Sequence, residues 1–503
     1  MHLIIHPCTK EYGIPWKVLD KNTMEPDIEI SDPIHKRILI HPRERSILDH
    51  PYVQRLRHIR QLGFVSWVYP SATHDRFSHS VGTLHVAGTI AEQIFENEEI
   101  SFLARALSRE EKKFLKEIVR LAGLLHDIGH APFSHTAERV MPLVEKLKLP
   151  TDWLANPHER RIATHEDYTA LLLTGLAQGP APALGDDEAE IIASLVHHKK
   201  IKIPASWKKR FSPGIETESL HRLARSLVSS DIDADRMDYL LRDSHFAGVV
   251  YGQVDIPWLI SNLGSVKTND GYLISISEQG IHALEHYLFA RYHMYVQVYM
   301  HKTVKCFEHY FARAIEEGET EYRIPADRDD YAALRDSTIL EDLFAAAAMH
   351  PKSWAGRLMR RAPAKRVARI WDKDEETKKL FAKLERELKQ IGVGSFLVTS
   401  KRKFLDLPPP SLGTIDVKPQ GLFQFGLSTM PLAVVRRQFG ISSIAPVGNY
   451  SFVLKEYHED ISITDIYILP EDYARKEAEI REIIKKFRVF SELEIEFDEP
   501  VGN

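Results

Sequence analysis

The sequence of 503 residues predicts a mainly α-helical protein with a smaller α+β region towards its C-terminal end. Two patterns support this fold class. Apolar residues recur every three or four positions through most of residues 45–310, and they alternate with polar residues in several later segments. A polar stretch over 318–330, GETEYRIPADRDD, lies between the two patterns. We therefore predict an N-terminal extended segment over 1–45, an all-helical core over 46–318 and a C-terminal α+β region over 319–503.

Composition and charge narrow the classes of protein. Hydrophobic residues make up 44% and charged residues 27% of the chain, as in globular proteins, and no apolar run approaches the roughly 18 residues of a membrane span. The first residues lack the basic lead and cleavage site of a signal peptide, so we expect a cytoplasmic protein without membrane contact. The net charge of −5 argues against a protein that binds nucleic acid with its whole surface. Cys8 and Cys306 are too few for a disulfide framework or a thiolate zinc cluster.

Four segments of the core have the apolar period of amphipathic helices. In the first, DHPYVQRLRHIRQLG (49–63), Asp49 is a candidate cap, Pro51 lies in the first turn and Gly63 marks the end. The other three are predicted to be helical over 78–95, 110–129 and 280–317, the last as one long helix.

The C-terminal region contains both patterns. An amphipathic helix with Glu-to-Arg and Glu-to-Lys pairs is predicted over 470–492, and DLPPPSLG (406–413) is predicted to be a loop or linker. Strands are predicted over 413–419, 421–427, 450–457 and 463–469.

The segment LLHDIGHAPFSH (124–135) contains candidate metal ligands. Adjacent side chains on a helix diverge by about 100°, so His126 and Asp127 cannot enclose a metal without ligands from other segments. RFSHSVG offers His79, and DIDADRMDYLLRD offers Asp233 and Asp235. A set of two histidines and two aspartates suits Fe, Mn, Zn, Ni or Co, and leaves coordination positions open for water and phosphate oxygens.

A purely structural explanation competes with this metal site. His126 and Asp127 could be polar residues at a buried helix end, beside the apolar LAGLL. Burying them without partners would cost several kcal/mol, and a metal ion is one partner that would offset this cost.

Further imidazole and carboxylate groups follow the same motif. A glycine and a proline break the helix, so His130 and His135 are predicted to lie on a turn beyond the metal. Imidazoles with a pKa of about 6.5 can donate a proton to a leaving phosphate oxygen or attack phosphorus. Glu138 could orient such a ring, and His165 lies in ATHEDY further along. Alternatively, His135 caps a helix and His165 is a surface residue.

The motifs RFSHSVG, LLHDIGHAPFSH, THEDY and DADRMDYLLRD, in this order, resemble those of the HD-domain superfamily of metal-dependent phosphohydrolases. More narrowly, they resemble the deoxynucleoside triphosphate triphosphohydrolases, the branch that includes the SAM-and-HD-domain proteins and bacterial dGTPase-like enzymes. The resemblance extends from DPIH at 32 to YMHK near 302 and covers more than half of the chain. It implies an HD-domain core, mostly helical, with a single catalytic metal.

The resemblance implies a role for each residue of the motifs. The implied ligands of one divalent transition metal are His79, His126, Asp127 and Asp235, and Mg²⁺ is a candidate bridge to a triphosphate. The implied catalytic residues are His130, His135, which would act on the α-phosphate, His165 and the acidic Glu138. Close relatives carry aspartate in place of Glu138, so its carboxylate reaches one methylene further.

Substrate and effector residues are also implied. Arg76 matches an arginine that binds triphosphate, and the positions that hold sugar or phosphate match Gln61, Tyr239, Asp243, Arg291 and Tyr299. From the spacing alone, Arg291, Tyr295, Tyr299 and Lys302 share one face of the long helix, although a tyrosine stripe also suits a helical core.

Three residues of the first helix match positions that bind a guanine nucleotide effector between subunits, namely Asp49, Gln54 and Arg57. The resemblance thus implies a nucleotide effector and a homo-oligomer, either a tetramer or a dimer. The alternative is an ordinary amphipathic helix with its charges in solvent. The basic segment 356–371 would supply effector phosphate contacts or form a solvated face.

The expected function is metal-dependent hydrolysis of deoxynucleoside triphosphates to deoxynucleoside and inorganic triphosphate. Three alternatives remain from the sequence. One is another HD hydrolase, such as a nucleotidase or a phosphodiesterase of cyclic or alarmone nucleotides. The second is a nuclease or single-strand nucleic-acid binder that uses 356–371, whose binding would depend steeply on salt. The third is a nucleotide sensor without enzymatic activity.

Overall fold

The fold was analysed in a computed structural model. It describes residues 27–133, 137–138, 140–178, 181–197, 200–269, 271–371, 375–402, 432–438, 441–446, 451, 461–488 and 495–496. Within these residues helices predominate and short strands form small sheets, which confirms the mainly α-helical fold class with a smaller α+β part.

The helices are numbered here in chain order. Those of the first half are α1 Pro42–Leu48, α2 Pro51–Gln54, α3 Arg76–Glu96, α4 Phe102–Ala106, α5 Arg109–Leu125, α6 His165–Ala177, α7 Asp186–Val196, α8 Ala205–Lys208, α9 Thr217–Ser226 and α10 Ala234–Ala247. They are followed by α11 Ile256–Ser261, α12 Ile281–Met294, α13 Lys302–Glu316, α14 Arg328–Ala333, α15 Asp336–Met349, α16 Trp354–Met359, α17 Glu375–Gln390 and α18 Pro470–Arg488.

The described strands form three sheets. The strands are β1 Ile28–Asp32, β2 Lys36–Ile40, β3 Leu263–Thr268, β4 Gly271–Ser277, β5 Lys365–Trp371, β6 Ser395–Arg402, β7 Ala433–Gln438, β8 Ile441–Pro446, β9 Ile461–Ile468 and β10 Ile495–Glu496. β1 and β2 form an antiparallel hairpin, and the other sheets have the strand orders β3-β4-β7-β8 and β10-β5-β9-β6. Pairing is antiparallel except between β4 and β7. The β3–β4 hairpin lies inside the core, where the sequence analysis predicts only helices.

Three helices of the core bring their ends to one place. α3 begins where Asp75 accepts a hydrogen bond from the backbone of Ser78 (2.8 Å), and α10 begins where Asp233 accepts one from the backbone of Arg236 (2.7 Å). α3 packs against both α5 and α10. The first turns of α3 and α10 therefore lie beside the C-terminal end of α5, which is where the sequence motifs fall.

The apolar core surrounds α3. Leu84, Ile90 and Ile94 of this helix are fully buried, and the same apolar cluster continues as far as Tyr467 in β9. A second cluster lies between α17, α18 and the sheet that contains β5. Because the first cluster runs through residue 318, packing alone does not divide the chain there, and the domain limits stay a prediction.

The predicted first helix, 49–63, is wrong in extent. α2 ends at Gln54 and is followed by a 3₁₀ turn, after which Ile59 is extended. The N-cap is His50, whose Nδ1 accepts a hydrogen bond from the backbone of Tyr52 (3.2 Å), and Asp49 ends α1 instead. A side chain that accepts this bond fixes the helix start one residue later than predicted.

The predicted long helix, 280–317, is interrupted. α12 continues as a π-helical turn over Tyr295–Tyr299, and α13 starts afresh with His301 as its N-cap. Contacts from the C-terminal sheet hold the interruption: Tyr467 OH donates to the Lys302 backbone oxygen (2.8 Å), and Arg369 Nη2 lies 3.4 Å from that of Met300. The break depends on tertiary contacts that helical periodicity does not reveal.

Other sequence predictions have mixed outcomes. The helices predicted over 78–95 and 470–492 and the strand over 463–469 are confirmed by α3, by α18 as far as Arg488, and by β9. α5 confirms the helix predicted from residue 110 but ends at Leu125 and not at 129. Apart from Ser451, the loop and strands predicted over 406–413, 413–419, 421–427 and 450–457 lie outside the described residues. Of the helices that the structure describes, none combines the length and the apolar character needed to cross a bilayer.

Candidate metal centre and active site

Four side chains from three helix ends meet at one point. His79 Nε2 and His126 Nε2 lie 3.1 and 3.4 Å from Asp235 Oδ1. Asp127 Oδ1 lies 3.3 Å from His126 Nε2, and its Oδ2 lies 3.8 Å from His79 Nε2. Two ligands about 2.1 Å from one ion, at about 90–110° to each other, are separated by about 3.0–3.5 Å. The structure thus brings the predicted ligands together at separations that fit one divalent cation.

The two imidazoles present the correct nitrogen for metal binding. Nδ1–H of His126 donates to the backbone oxygen of Gly123 (2.8 Å), and Nδ1–H of His79 donates to Asp238 Oδ2 (2.7 Å). Each ring therefore directs the lone pair of Nε2 towards the shared carboxylates. Within the described part of the chain, the buried His126 Nε2 has no hydrogen-bond partner. A buried lone pair without a donor, facing two carboxylates, suits a metal ligand.

The electrostatics of the cluster favour additional positive charge. Burial alone would lower the pKa of His79, but its hydrogen bonds with Asp235 and Asp238 outweigh burial and raise the pKa to about 10. The pKa of His126 is raised because the charges of Asp127 and Asp235 likewise outweigh burial. Burial would raise the pKa of Asp235, yet its hydrogen bond with His79 and the charges of His126 and His79 hold the pKa below its usual value. The cluster would therefore stabilise either bound protons or a cation.

Asp127 connects the cluster to two other predicted residues. Its Oδ2 pairs with the guanidinium of Arg76, and its Oδ1 lies 3.1 Å from His130 Nε2. Burial would raise the pKa of Asp127, but the charges of His126, His130 and Arg76 keep it well below its usual value. Arg76, the predicted triphosphate ligand, is therefore in direct contact with the predicted metal ligand. An anion on the metal would lie within reach of this guanidinium.

A pair of stacked imidazoles lies next to the cluster. The rings of His130 and His165 are 3.9 Å apart between centroids and inclined by 15°. Gly129 permits this approach, because a Cβ there would lie 2.1 Å from the backbone of α6, which begins at His165. His165 Nδ1 donates to Glu138 Oε1 at 2.5 Å. His165 is therefore held by a carboxylate on one side and stacked on an imidazole on the other.

The two stacked imidazoles have opposite pKa shifts. Burial, together with the charges of Arg76 and His165, lowers the pKa of His130 well below its usual value. Burial also lowers the pKa of His165, but the hydrogen bond to Glu138 and nearby carboxylate charges outweigh it and raise the pKa. One ring is thus neutral at neutral pH, and the other is able to carry a proton. His135, predicted as a further catalytic residue, lies outside the described residues.

A cavity of about 670 Å³ opens beside the cluster. The ligand cluster and its neighbours contribute Arg76, Asp127, His130 and Asp235 to the cavity wall. Other predicted substrate residues in the wall are Gln61, Tyr239, Asp243 and Tyr299. α13 and β6 contribute, among others, Lys305, Glu308, His309, Arg313, Leu397 and Thr399. Five of the six predicted substrate residues therefore line the cavity. The sixth, Arg291, is not part of the lining.

Asp243 is a fixed acceptor in the cavity wall. Its Oδ1 accepts a hydrogen bond from His74 Nε2 (2.8 Å), and its Oδ2 accepts one from Tyr299 OH (2.6 Å). Tyr239 OH and Tyr295 OH are 3.3 Å apart in the same wall. Two donors hold this carboxylate in one orientation, so it presents defined lone pairs to a ligand.

Arg291 lies beneath the cavity wall. It is 2% exposed, and its Nη1 lies 3.2 Å from both the backbone oxygen and Oδ1 of Asp231. Lys302 is exposed at the start of α13, after the interruption. The prediction that Arg291, Tyr295, Tyr299 and Lys302 share one helical face is wrong, because a π-helical turn and a new helix start separate Lys302 from Arg291. Of the four residues, Tyr295 and Tyr299 line the cavity.

Comparison with protein families now identifies the core. The model of the HD domain matches residues 76–243, and the model of the HD associated region matches residues 254–394. The chain carries an HD domain. The converging ligands and the imidazole pair all lie within it, and α13, which lines the cavity from the other side, lies in the HD-associated region. HD domains bind divalent metals, and His79, His126 and Asp235, whose ligand atoms lie within 4.8 Å of one another, form a cluster that could hold such an ion.

Several curated relatives contain similar sequences. An uncharacterized protein of Methanocaldococcus jannaschii is 33% identical over 307 residues, which is 60% of this chain and 53% of that protein. An uncharacterized protein of Bacillus subtilis is 31% identical over 286 residues, 55% of this chain and 52% of its own. The human deoxynucleoside triphosphate triphosphohydrolase SAMHD1 is 28% identical over 339 residues, 63% of this chain and 50% of its own. The chain thus spans about half the length of the curated relatives it matches.

Solved structures share the fold. A hypothetical protein from Aquifex aeolicus aligns with a TM-score of 0.63 at 23% identity, over 91% of this chain and 100% of that one. A phosphohydrolase from Bacteroides thetaiotaomicron aligns with a TM-score of 0.60 at 20% identity, over 88% of this chain and 100% of that one. At these identities the likeness shows that the fold is shared.

The predicted effector residues lie between the end of α1, at Asp49, and the 3₁₀ turn that follows α2, at Arg57. Asp49 is exposed, with Oδ2 3.9 Å from Arg45 Nε. Gln54 Nε2 donates to the backbone oxygen of Leu48 (2.8 Å), and Arg57 Nε donates to Gln54 Oε1 (2.8 Å). Two of the three side chains are thus tied to local groups, and their role as effector ligands stays a prediction.

The basic segment 356–371 forms α16 and β5, and its arginines have partners within the chain. Arg357 pairs with Glu471, Arg361 Nη2 donates to the Trp67 backbone oxygen (2.6 Å), and Arg369 binds Asp465 through two nitrogens (2.7 and 2.9 Å). Arg369 thus pairs within the C-terminal sheet, Arg357 joins α16 to α18, and Arg361 contacts the N-terminal half of the chain.

Sequence reasoning missed several residues of the site. Asp238, which holds His79, could have been found from the motif DADRMDYLLRD, because residues three apart, such as Asp235 and Asp238, share a face if the segment is helical, as α10 is. His74, which holds Asp243, carries no comparable signal. It becomes recognisable only when the fold places it against Asp243.

Proposed function

We propose that this protein hydrolyses deoxynucleoside triphosphates to deoxynucleoside and inorganic triphosphate, with one divalent transition metal (Fe, Mn, Zn, Ni or Co) held by its HD domain. The observation that carries the proposal is the position of the ligand cluster at the wall of a cavity of about 670 Å³ that also contains Arg76, Tyr239 and Tyr299. Cavities of about 300–1,000 Å³ suit small-molecule ligands. A nucleoside triphosphate is a ligand of this size class.

The metal would be held by His79, His126, Asp127 and Asp235. Bound there, it would supply Lewis-acid polarisation of a phosphoryl oxygen and a lower pKa for a water molecule. Arg76, beside Asp127, would bind the triphosphate and offset charge that develops at phosphorus. Mg²⁺ is proposed as a further bridge between triphosphate oxygens.

The imidazole pair would handle the protons. Water would attack the α-phosphorus, forming one P–O bond, while the bond from that phosphorus to the 5′ oxygen breaks. His165, with its raised pKa and its hydrogen bond to Glu138, would donate a proton to the leaving 5′ oxygen. His130, with its lowered pKa, would remain neutral and accept a proton from the nucleophile. His135 is proposed to act with them at the α-phosphate.

Residues of the cavity wall outside the ligand cluster would select the sugar. Asp243, fixed by His74 and Tyr299, offers an acceptor for a sugar hydroxyl. Gln61 lines the same cavity, and its buried Oε1 has no partner among the described residues. Tyr239 would pack beside the ring and leave little room for a 2′-hydroxyl, which would favour deoxyribose.

Relatives support the proposal. SAMHD1 proteins of Homo sapiens and Gallus gallus, both at 28% identity, are named deoxynucleoside triphosphate triphosphohydrolases. By the same resemblance we propose a nucleotide effector at Asp49, Gln54 and Arg57 and a homotetramer or homodimer. A cytoplasmic location is proposed from the sequence pattern of the first residues and the low cysteine content. Binding of single-stranded nucleic acid by this protein is a secondary proposal.

The test is product analysis. Protein reconstituted with Mn²⁺ is incubated with each of the four deoxynucleotides and the four ribonucleotides, with and without GTP, and products are separated by anion-exchange chromatography. We expect inorganic triphosphate and deoxynucleoside in equal amounts. Asp127→Ala should abolish the reaction, and Glu218→Ala, which changes an exposed carboxylate paired with Lys208, should not. Release of orthophosphate or pyrophosphate alone would assign the protein to another class of HD hydrolase.

A further inference from the structure

Asp238 lies behind the metal cluster and is completely buried. Its Oδ2 accepts hydrogen bonds from His79 Nδ1 (2.7 Å) and Arg242 Nε (2.8 Å). Its Oδ1 accepts hydrogen bonds from His35 Nε2 (2.7 Å) and Arg242 Nη2 (2.8 Å). A carboxylate has about four lone-pair sites, and each of the four is used here. The orientation of Asp238 is therefore fully determined by its neighbours.

The β1–β2 hairpin supplies the outer contacts of this carboxylate. Asp32 Oδ1 accepts hydrogen bonds from the backbone N–H groups of Ile34 (2.9 Å) and His35 (2.8 Å), which fixes the turn that carries His35. Asp32 Oδ2 accepts a hydrogen bond from Arg242 Nη1 (2.7 Å). The hairpin thus reaches Asp238 directly through His35 and indirectly through Arg242.

The packing against α3 leaves Asp238 no room to move. A Cβ at Gly82 would lie 1.9 Å from Asp238 Oδ1 and 2.3 Å from Arg242 Nη2, so the charged pair touches the backbone of α3 directly. Gly82 is less than one turn after His79 on the same helix. His79 itself is fully buried, so solvent cannot replace Asp238 as the acceptor for its Nδ1–H.

We propose that the β1–β2 hairpin is a positioning element of the metal centre. His35 and Asp32 of this hairpin act through Asp238, and Asp238 holds the ring of His79 in the orientation that binds the divalent ion. These are positioning residues, since none of them is placed in contact with substrate. The inference rests on the metal site of the proposed function and extends it to residues that precede the HD domain match, which begins at residue 76. A carboxylate that accepts from a ligating histidine fixes its tautomer and orientation.

Metal affinity measured without substrate tests this inference. The full chain is titrated with Co²⁺, and binding is followed by the visible absorption of the bound ion. Asp238→Asn should raise the Kd for Co²⁺ about 10- to 100-fold. His35→Phe keeps a ring beside His85, 5.0 Å away, and removes only the hydrogen bond to Asp238. It should raise the Kd in the same direction by a smaller factor and alter the Co²⁺ absorption bands.

A matched control lies in the same hairpin. Arg37 is exposed and pairs with Glu29, so Arg37→Ala should bind Co²⁺ like the parent. Thermal unfolding of the metal-free variants shows which of them fold, and His35→Phe remains decisive if Asp238→Asn does not fold. Unchanged Co²⁺ affinity in the folded variants overturns the inference, and so does an equal loss in Arg37→Ala. If the parent itself binds no Co²⁺, the proposed function fails, and this inference with it.

Discussion

Replacing Glu138 by glutamine should change the pH dependence of catalysis, because Glu138 stabilises the proton on His165. Glu138 Oε1 accepts from His165 Nδ1 at 2.5 Å, and the two side chains are only 26% and 18% exposed. Burial lowers the pKa of His165, but this hydrogen bond and the surrounding carboxylate charges raise it. Glutamine has the same length and no charge, so the pKa of His165 should fall.

The magnitude follows from the strength of the contact. A hydrogen bond to a charged group contributes about 1.5–3 kcal/mol, and one pKa unit corresponds to about 1.4 kcal/mol, so the pKa of His165 should fall by about one to two units. If protonated His165 donates to the leaving oxygen, activity is lost as pH rises above its pKa. A lower pKa therefore moves the basic limb of the profile to lower pH by the same amount.

The assay is the pH profile of kcat/KM for deoxynucleotide hydrolysis, which reports groups of the free enzyme. Glu138→Asp is the matched control, because it keeps the charge and shortens the reach by one methylene, and it should shift the limb less than the glutamine variant. Thermal unfolding confirms that each variant is folded. A basic limb at the same pH in the parent and Glu138→Gln would refute the role given to His165.

Four further predictions concern other parts of the site. Asp127→Ala should lose bound metal and activity together, as measured by metal analysis and product release. Tyr299→Phe removes one hydrogen-bond donor from the buried Asp243. We expect a higher KM with a smaller change in kcat. Denaturant titration should also show a free energy of unfolding that is lower by about 1–3 kcal/mol. Gly82→Ala should reduce metal content in the same analysis, because its Cβ displaces the carboxylate behind His79. Burial would raise the pKa of Asp167, but hydrogen bonds from Arg161 and His197 keep the pKa below its usual value. The stabilisation of the folded state by ionised Asp167 is therefore present above the unfolded pKa of about 3.9 and is lost as the pH falls below it. The melting temperature of Asp167→Asn should consequently change less between neutral and acid pH than that of the parent.

The sequence predicted which side chains the structure brings together in the candidate metal centre. His79 and Asp235 are 156 residues apart, yet both fall in the first turn of a helix with a good cap, and their motifs were recognisable because they occur together in a fixed order. The amphipathic period also predicted α3 and α5 correctly. The period of apolar residues specifies which face of each helix is buried. The residues at which α3 and α10 begin, next to the predicted ligands, depend instead on the capping residues.

The parts that were missed depend on contacts between distant segments. The interruption between Tyr295 and His301 is held by Tyr467 and Arg369 of the C-terminal sheet, so the local sequence still has the period of one long helix. β4 was missed because both of its faces are buried, and alternation is then not required. The connection from Asp32 to Asp238 spans more than two hundred residues and has no local pattern.

The most direct test of the central claim is hydrolysis of dGTP in ¹⁸O-labelled water by the metal-reconstituted protein, with mass spectrometry of all products. Attack at the α-phosphorus places one ¹⁸O in inorganic triphosphate and leaves the deoxynucleoside unlabelled, and this is the predicted result. Labelled orthophosphate or pyrophosphate in place of labelled triphosphate, or label in the deoxynucleoside, would contradict it.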